Sequence, residues 1–375
     1  MRPKVAWILH RLLLILCVAG AALPCASAKS PQADLHDRMH HLAYRYGICD
    51  VAVAVVRNRE LQSVDAAHTC AGQVPAAEER VFEAASLSKP LFAYAVLKLV
   101  QEGKMSLDAP LLGYLPQGYA HRHFAHRPDS PIDQVSDPAL SAVTVRMAMN
   151  HTSGLANWSN GPLAFTGKPG AGWQYSGEGY VLLQRAVETV TGEPLDKYME
   201  RTVFRPLGMT HSSYMHNAGL ENALVRGTNF YDEVLPNYPF REAVAAYSLY
   251  TSAGDYGRFL SALLSDPALL RQTVDSPASL DAKRELGWGL GWGLERRAGE
   301  SYLWHWGNNS GYRAFVMASA QSGDGFVMLT NSDKGLALAE PLGEQLLPGP
   351  HPVYRLHFLR DGLANYLCEK LDICF

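Results

Sequence analysis

Between Pro90 and Glu102 nearly every position is apolar: Leu91, Phe92, Tyr94, Val96, Leu97, Leu99 and Val100 leave no face for water. A helix that is apolar all round has to be enclosed on every side, so this chain must build a large body around that segment. Pro90 suits a first helical turn and Gly103 a stop. The material is there, since 47% of the 375 residues are hydrophobic and only 18% are charged. That balance excludes a disordered chain and fits one large domain or two intimately joined subdomains. Net charge is −3, without a Lys/Arg block or basic helical stripe, which argues against a nucleic-acid partner.

The first residues read as a leader, apart from the fold. Arg2, Lys4 and Arg11 give a positive start, Leu12 to Ala22 is apolar or small throughout, and Ala26-Ser27-Ala28 is a small-x-small cleavage site. This is the layout of a secretory signal peptide over residues 1–28. The apolar run is too short to cross about 30 Å of hydrocarbon as a helix. The expected location is therefore periplasmic or secreted after cleavage near Ala28, with no stable membrane insertion. Cys17 and Cys25 leave with the leader, and Cys49, Cys70, Cys368 and Cys374 remain. In an oxidising compartment an even count favours two disulfides, with three connectivities open and four buried thiols as the alternative. Cys49 and Cys70 sit on consecutive strand candidates, which favours pairing them and leaves Cys368 with Cys374. A continuous helix would hold the latter two about 9 Å apart, so that bridge requires the helix to end near Lys370.

Periodicity predicts a helix over Leu35–Tyr46, a hairpin from Asp50–Arg57 and Leu61–His68, and a third strand over Val81–Ala84. The middle, about 105–280, mixes short helices (Val143–Asn150, Tyr180–Thr191, Leu195–Val203, Ala253–Leu264) with Gly- and Pro-rich loops. Strands return over Gly287–Glu295, Ser301–Trp306, Tyr312–Ala318 and Phe326–Thr330, and helices over Leu336–Leu347 and Tyr354–Leu371 close the chain. Strands at both ends around a helical middle imply an α+β fold with one antiparallel sheet built from both termini. The expected division is a sheet subdomain at about 29–84 and 285–375 and a helical subdomain at about 85–284, with a cleft between them.

Ser86-Leu87-Ser88-Lys89 opens the buried helix. A serine and a lysine three apart share a helix face, and the unsatisfied N–H groups at the helix start favour negative charge there. An enclosed lysine gives up its proton more readily and can take one from a serine. The tetrapeptide alone is a weak signal, and its bland reading is an N-capping serine beside a solvated lysine. No GxSxG occurs, against an α/β-hydrolase nucleophile elbow. The neighbours carry more weight: Phe82-Glu-Ala-Ala-Ser86-Leu-Ser-Lys89-Pro90, Asn150-His-Thr-Ser-Gly-Leu155, Tyr175-Ser-Gly177 with Gly179-Tyr180, Pro206-Leu-Gly-Met209, Thr251-Ser-Ala-Gly-Asp255, Gly287-Trp-Gly-Leu-Gly-Trp292 and His305-Trp-Gly307. In this order and spacing, from about Val51 to Leu347, the chain resembles the serine β-lactamase and penicillin-binding family, in its class C, D-peptidase and esterase branch.

The resemblance implies an acyl-enzyme on Ser86 with Lys89 as its base. Tyr175 would relay the proton, as a phenol with a lowered pKa, and His305 would stabilise the transition state and keep Tyr175 poised. The oxyanion hole would be the backbone N–H groups of Ser86 and Asn308, and Gly307 would let the backbone approach the substrate. The family motif Tyr-x-Asn departs here at its third position, where Gly177 stands. That loss of an amide-binding group weakens a β-lactamase reading, unless Ser176 or a nearby Asn compensates. Trp158, Trp173, Trp304 and Trp306 would frame the cleft, and Trp306, Gly307, Gly177, Trp158 and Trp173 would contact substrate.

Other signals are weaker. His121-Arg-His123-Phe-Ala-His126 has crowded imidazoles, but with no neighbouring carboxylate or Cys it reads as a solvated loop and not a metal site. His151 and Ser153 read as parts of a structural turn ending at Gly154. The expected function is an exported serine hydrolase cleaving an ester or amide, of carboxylesterase or D-amino-acid peptidase type, with no cofactor and a small-molecule or peptide substrate, cell-wall-derived ones included. The rivals are a true β-lactamase or D-Ala-D-Ala carboxypeptidase and, in another class, a slow penicillin-binding or sensor protein that is acylated without turnover.

Overall fold

Alternation sets the central layer. In β1 (Asp50–Arg57), Ala52, Ala54 and Val56 face one core while Val51, Val53 and Val55 face another. The two strands β11 (Tyr312–Ser319) and β12 (Gly325–Thr330) repeat this, with Ala314, Val316, Val327 and Leu329 on the first side and Phe315, Met317, Phe326 and Met328 on the second. A sheet so divided is covered on both faces. The computed structural model describes residues 30–72, 74–297 and 299–359. The leader, its cleavage site, Cys368 and Cys374 lie outside the described residues.

The sheet is antiparallel and eight-stranded. Its remaining members are β2 (Glu60–His68), β7 (Ala278–Asp281), β8 (Leu286–Trp288), β9 (Gly293–Arg297) and β10 (Glu300–Asn309), in the order β2-β1-β12-β11-β10-β9-β8-β7. The chain's two ends therefore meet at β1 and β12, as the distribution of strand patterns implies. Asn58 and Arg59 both take positive φ (50° and 70°), the conformation a tight hairpin turn needs. Cys49 and Cys70, flanking that hairpin, form a disulfide. Over the second face lie α1 (Pro31–Tyr46), through Leu35, Met39 and Leu42, and a late helix over Ala339–Leu346. Small residues on the first face let a helix come close: a Cβ on Gly257, in the helix Ala253–Leu264, would lie 2.9 Å from Ala54 Cβ.

Three expectations change. The run Val81–Ala85 (β3) forms a strand outside the main sheet, pairing antiparallel with a four-residue strand, β6 (Leu249–Ser252), that the sequence hid because every residue in it is buried. The single strand expected over Gly287–Glu295 is two, β8 and β9, broken where Gly291 takes φ +86°. The expected helix from Tyr354 begins as two short 3₁₀ turns, Pro352–Arg355 and His357–Leu359; beyond residue 359 it lies outside the described residues. No helix among the described residues is long and apolar enough to cross a membrane.

The all-apolar segment is α2 (Ser88–Gln101), buried along almost its whole length as its composition demands. Buried tyrosines bond to carbonyls at its start: Tyr256 donates to Leu87 O at 3.0 Å and Tyr214 to Ser88 O at 2.7 Å. Its neighbours in the first core include α4 (Gly177–Thr191), whose N-terminus opens beside the start of α2.

Candidate active site

The site begins at a bend. Ala85, last residue of β3, has φ +50°, a left-handed conformation costing a non-glycine residue roughly 1–2 kcal/mol. It turns the chain sharply from β3 into α2. Leu87 N–H donates to Ala84 O and Lys89 N–H to Ser86 O, both at 3.0 Å. Ser88 Oγ donates to Ala85 O at 2.5 Å and accepts from Leu249 N–H at 3.0 Å, tying the bend to β6. Ser86 itself lies just ahead of α2, half-buried, and the turn brings it to Lys89, whose Nζ donates to Ser86 Oγ at 3.0 Å and to Ala246 O at 2.7 Å. Lys89 is fully buried, and loss of hydration pushes its amine well below the usual lysine range.

Tyr175 comes from the facing loop. His151, with φ +60°, anchors it: Gln174 N–H donates to His151 O at 2.7 Å and Ser176 N–H to His151 Nδ1 at 3.0 Å. Ser176 then caps α4, accepting from Gly179 N–H at 2.9 Å. The ring of Tyr175 lies 4.3 Å from that of His151 and 5.0 Å from that of Trp306, with Lys89 Nζ 4.7 Å from its centroid. Burial drives the phenol upward, with only the Ser86 hydroxyl opposing. This reverses the expected lowering. The nearby Lys89 amine is itself pushed toward its neutral form by burial, so no strong cation stabilises a phenolate.

The third wall is β10. Its alternation turns His305 and Gly307 inward and Trp304 and Trp306 toward the second core. His305 is fully buried, donates from Nδ1 to Trp306 O at 2.8 Å, and is pushed down to about 3, first by desolvation and then by Lys89. It is a neutral imidazole, 6.2 Å ring to ring from Tyr175, and does not border the cavity. Gly307 also acts differently from expectation. A Cβ there would lie 2.4 Å from Ala84 O and 3.2 Å from Ala85 Cβ. The bare glycine lets β10 press against the bend at Ala84 and Ala85, which brings Asn308 to the cavity that Ser86 borders.

That cavity holds about 530 Å³. Of the expected residues it gathers Ser86, Lys89, Tyr175, Trp158, Trp306 and Asn308. Trp173 and Trp304 do not frame it: Trp304 is wholly inside the second core, and Trp173 packs on Trp288 at 5.6 Å. Gly177 lies beneath Trp158, where a Cβ would be 2.4 Å from indole Cη2; its N–H donates to Asn157 Oδ1 at 3.0 Å. The glycine is the seat of an indole that occupies the space of any side chain at 177.

Several lining residues had no sequence signal. The histidine segment, expected as a solvated loop, is a wall of the cavity with carboxylates supplied from afar. His121 is fully buried with Nε2 3.0 Å from Glu178 Oε2, His123 meets Asp133, and His126 Nδ1 lies 2.8 Å from Tyr247 Oη. Among the described residues no group of three or more metal-ligating side chains assembles. Glu178 stood three residues after Tyr175 and could have been noticed as an acid in a first helical turn. Tyr247 lies in an aperiodic stretch, and Phe358 lies within the closing helix expected over Tyr354–Leu371.

Fold and site together define a hydrolase of the β-lactamase-related type, an α+β protein with an antiparallel sheet and a serine–lysine pair at a helix start. The family model described as Beta-lactamase matches residues 34–347, and the chain belongs to that family. Among characterised proteins it is similar to Esterase EstB of Burkholderia gladioli, 28% identical over an alignment of 279 residues covering 58% of this chain and 67% of that one. It is also similar to Lovastatin esterase of Penicillium rubens, 31% identical over 159 residues, 35% of this chain and 38% of the other. The chain thus spans two thirds of the first and well under half of the second. Among solved structures, D-alanine carboxypeptidase AmpC from Burkholderia cenocepacia superposes with a TM-score of 0.70 at 18% identity, covering 84% of this chain and 98% of that one, a likeness of fold alone.

Proposed function

We propose that this chain is an exported serine hydrolase that forms an acyl-enzyme on Ser86 and turns over esters in preference to amides. The observation that carries the reading is the 3.0 Å contact between Ser86 Oγ and a buried lysine amine whose proton affinity burial depresses. Neutral Lys89 takes the Ser86 proton as Oγ attacks the substrate carbonyl. The new oxyanion is met by the backbone N–H groups of Ser86 and Asn308. The proton then passes from the Lys89 ammonium through Tyr175 to the leaving oxygen. A raised phenol pKa suits this, since a relay that gives a proton as it receives one stays neutral. Water attacks the acyl carbon and Ser86 recovers its proton. His305 supports Tyr175 through the aromatic block of Trp288 and Trp306 and not by charge.

Ester preference rests on Gly177 and Trp158. Where the family carries an amide-binding Asn, this chain presents an indole edge, so the cleft offers apolar contact to the acyl part. The esterase relatives support the same reading. Export is supported by the leader's layout and by the Cys49–Cys70 disulfide. The test is labelling by a fluorophosphonate probe in wild type and Ser86→Ala, then a panel of nitrophenyl esters, D-peptides and a chromogenic cephalosporin. Labelling confined to wild type with ester turnover well ahead of the rest is expected. Rapid cephalosporin hydrolysis would instead establish a β-lactamase, and a label that stays for hours without product would establish a sensor.

A further inference from the structure

Behind the cavity of Ser86 lies a second chamber of about 410 Å³, and Tyr247, Asn309 and Ser310 border both. Tyr247 is the partition. Its ring meets Trp158 edge-on at 5.2 Å and Phe240 at 5.4 Å, and its hydroxyl bonds to His126 Nδ1 at 2.8 Å. The second chamber borders Glu83, which is 8% exposed on β3, three residues before the nucleophile. Glu83 Oε2 accepts from Asn309 Nδ2 at 2.8 Å, and this neutral amide is the one group opposing the upward push that burial gives the carboxyl. Arg226, exposed at the rim, donates instead to Leu235 O at 2.9 Å. The rest of the wall is aromatic, from Tyr238, Phe240 and Tyr312.

A carboxylate buried without a counter-charge is costly. Aromatic faces attract cations and do nothing for anions. A chamber with both lacks one thing, an organic cation. We infer that the chamber behind Tyr247 binds the ammonium group of a substrate whose carbonyl is attacked by Ser86, so that the preferred substrates are amino-bearing acyl esters. This rests on the serine-hydrolase reading of the neighbouring cavity. Three residues of chain span at most about 10 Å between Cα atoms, so the carbonyl-to-ammonium spacing is that distance adjusted by the reach of the Glu83 and Ser86 side chains.

Binding depends on pH with a definite sign. The groups facing Glu83 are Asn309 from β10, Tyr312 from β11, Tyr250 from β6 and Arg226 from the rim. Both tyrosines are pushed upward and stay neutral. Glu83, raised to about 7, changes charge near neutrality. As pH rises through that value the carboxylate forms and an ammonium is held more tightly.

The experiment compares nitrophenyl esters of ω-amino acids of graded chain length with methyl-terminated isosteres, on the full chain at pH 6 and 8. The expected kcat/KM ratio, amino over methyl, peaks at one chain length at about tenfold, is larger at pH 8, and falls to about one in Glu83→Gln. Leu235→Trp, which fills the chamber, provides the same loss by a route that leaves β3 unchanged. A wild-type ratio at or below one at every length, or a ratio that survives both variants, overturns the inference. The methyl esters keep the two readings apart: if they are hydrolysed with no amino preference, only the ammonium chamber falls, and if wild type hydrolyses neither set, the serine-hydrolase reading falls first.

Discussion

The wall that carries Ser86 and Lys89 and the wall that carries Tyr175 are held in opposite ways. On the first, four consecutive residues and a bend fixed by backbone and Ser88 bonds put the two groups in contact, and α2 is locked beneath them by buried tyrosines. On the second, the position of one phenol depends on side chains reaching some twenty residues along the chain: Asn157 to Gly177, His151 to Ser176, and Ser176 Oγ back to Ala156 O. The first wall is a local necessity of the sequence. The second is an agreement among distant residues, and it can be renegotiated, which is where relatives on one fold can come to differ in substrate.

The largest effects fall on the first wall. Ser86→Ala removes the proposed nucleophile, and steady-state kinetics on a nitrophenyl ester should show a loss of at least about 10⁴-fold in kcat. Lys89→Met should approach that loss, and a small one would break the contrast outright. On the second wall Gly177→Asn should lower ester kcat/KM by about tenfold or more by evicting Trp158 from its seat. Adding Trp158→Ala should recover most of the stability and raise amide turnover relative to ester. Recovery in the double variant would show that this wall tolerates exchange as a set.

A third outcome sharpens the comparison through pH. Lys89 has a folded-state pKa depressed far below its unfolded value. Between the two the unfolded chain binds more protons, so stability rises with pH across that window, and the amine is a burden at neutrality. Lys89→Met should therefore melt a few degrees higher than wild type at pH 7, with the gain shrinking toward pH 10, while wild-type kcat/KM falls at acid pH as the amine takes up a proton. An unchanged melting temperature at both pH values would mean that the bond to Ala246 O offsets the burial. The smallest effect is expected at Ala85→Gly, where relief of a left-handed residue is partly cancelled by chain entropy, leaving a gain within about 1 kcal/mol by chemical denaturation.

The legible parts of the molecule are those set by short-range pattern. The buried helix, the β1–β2 hairpin, the antiparallel sheet closed by both termini and the Ser86–Lys89 pair all follow from periodicity or spacing within a few residues. The aromatic framing was misjudged because four tryptophans near the motifs say nothing of which face each takes; one-residue alternation sends Trp304 into the core and His305 behind Tyr175. His121 found its carboxylate 57 residues away and His126 its tyrosine 121 residues away, distances over which a sequence carries no local signal. Gly177 was visible as a departure, but its cause, the indole above it, was not.

The depressed proton affinity of Lys89 exists only because finished structure buries it, with Ala246 arriving 157 residues later along the chain. In an extended or half-assembled chain the same lysine is an ordinary hydrated cation and its neighbour an ordinary alcohol. On the proposed mechanism, reactivity is thus withheld from the nascent polypeptide and appears only once the fold has closed around the pair, so the chemistry itself would report whether a molecule has been completed.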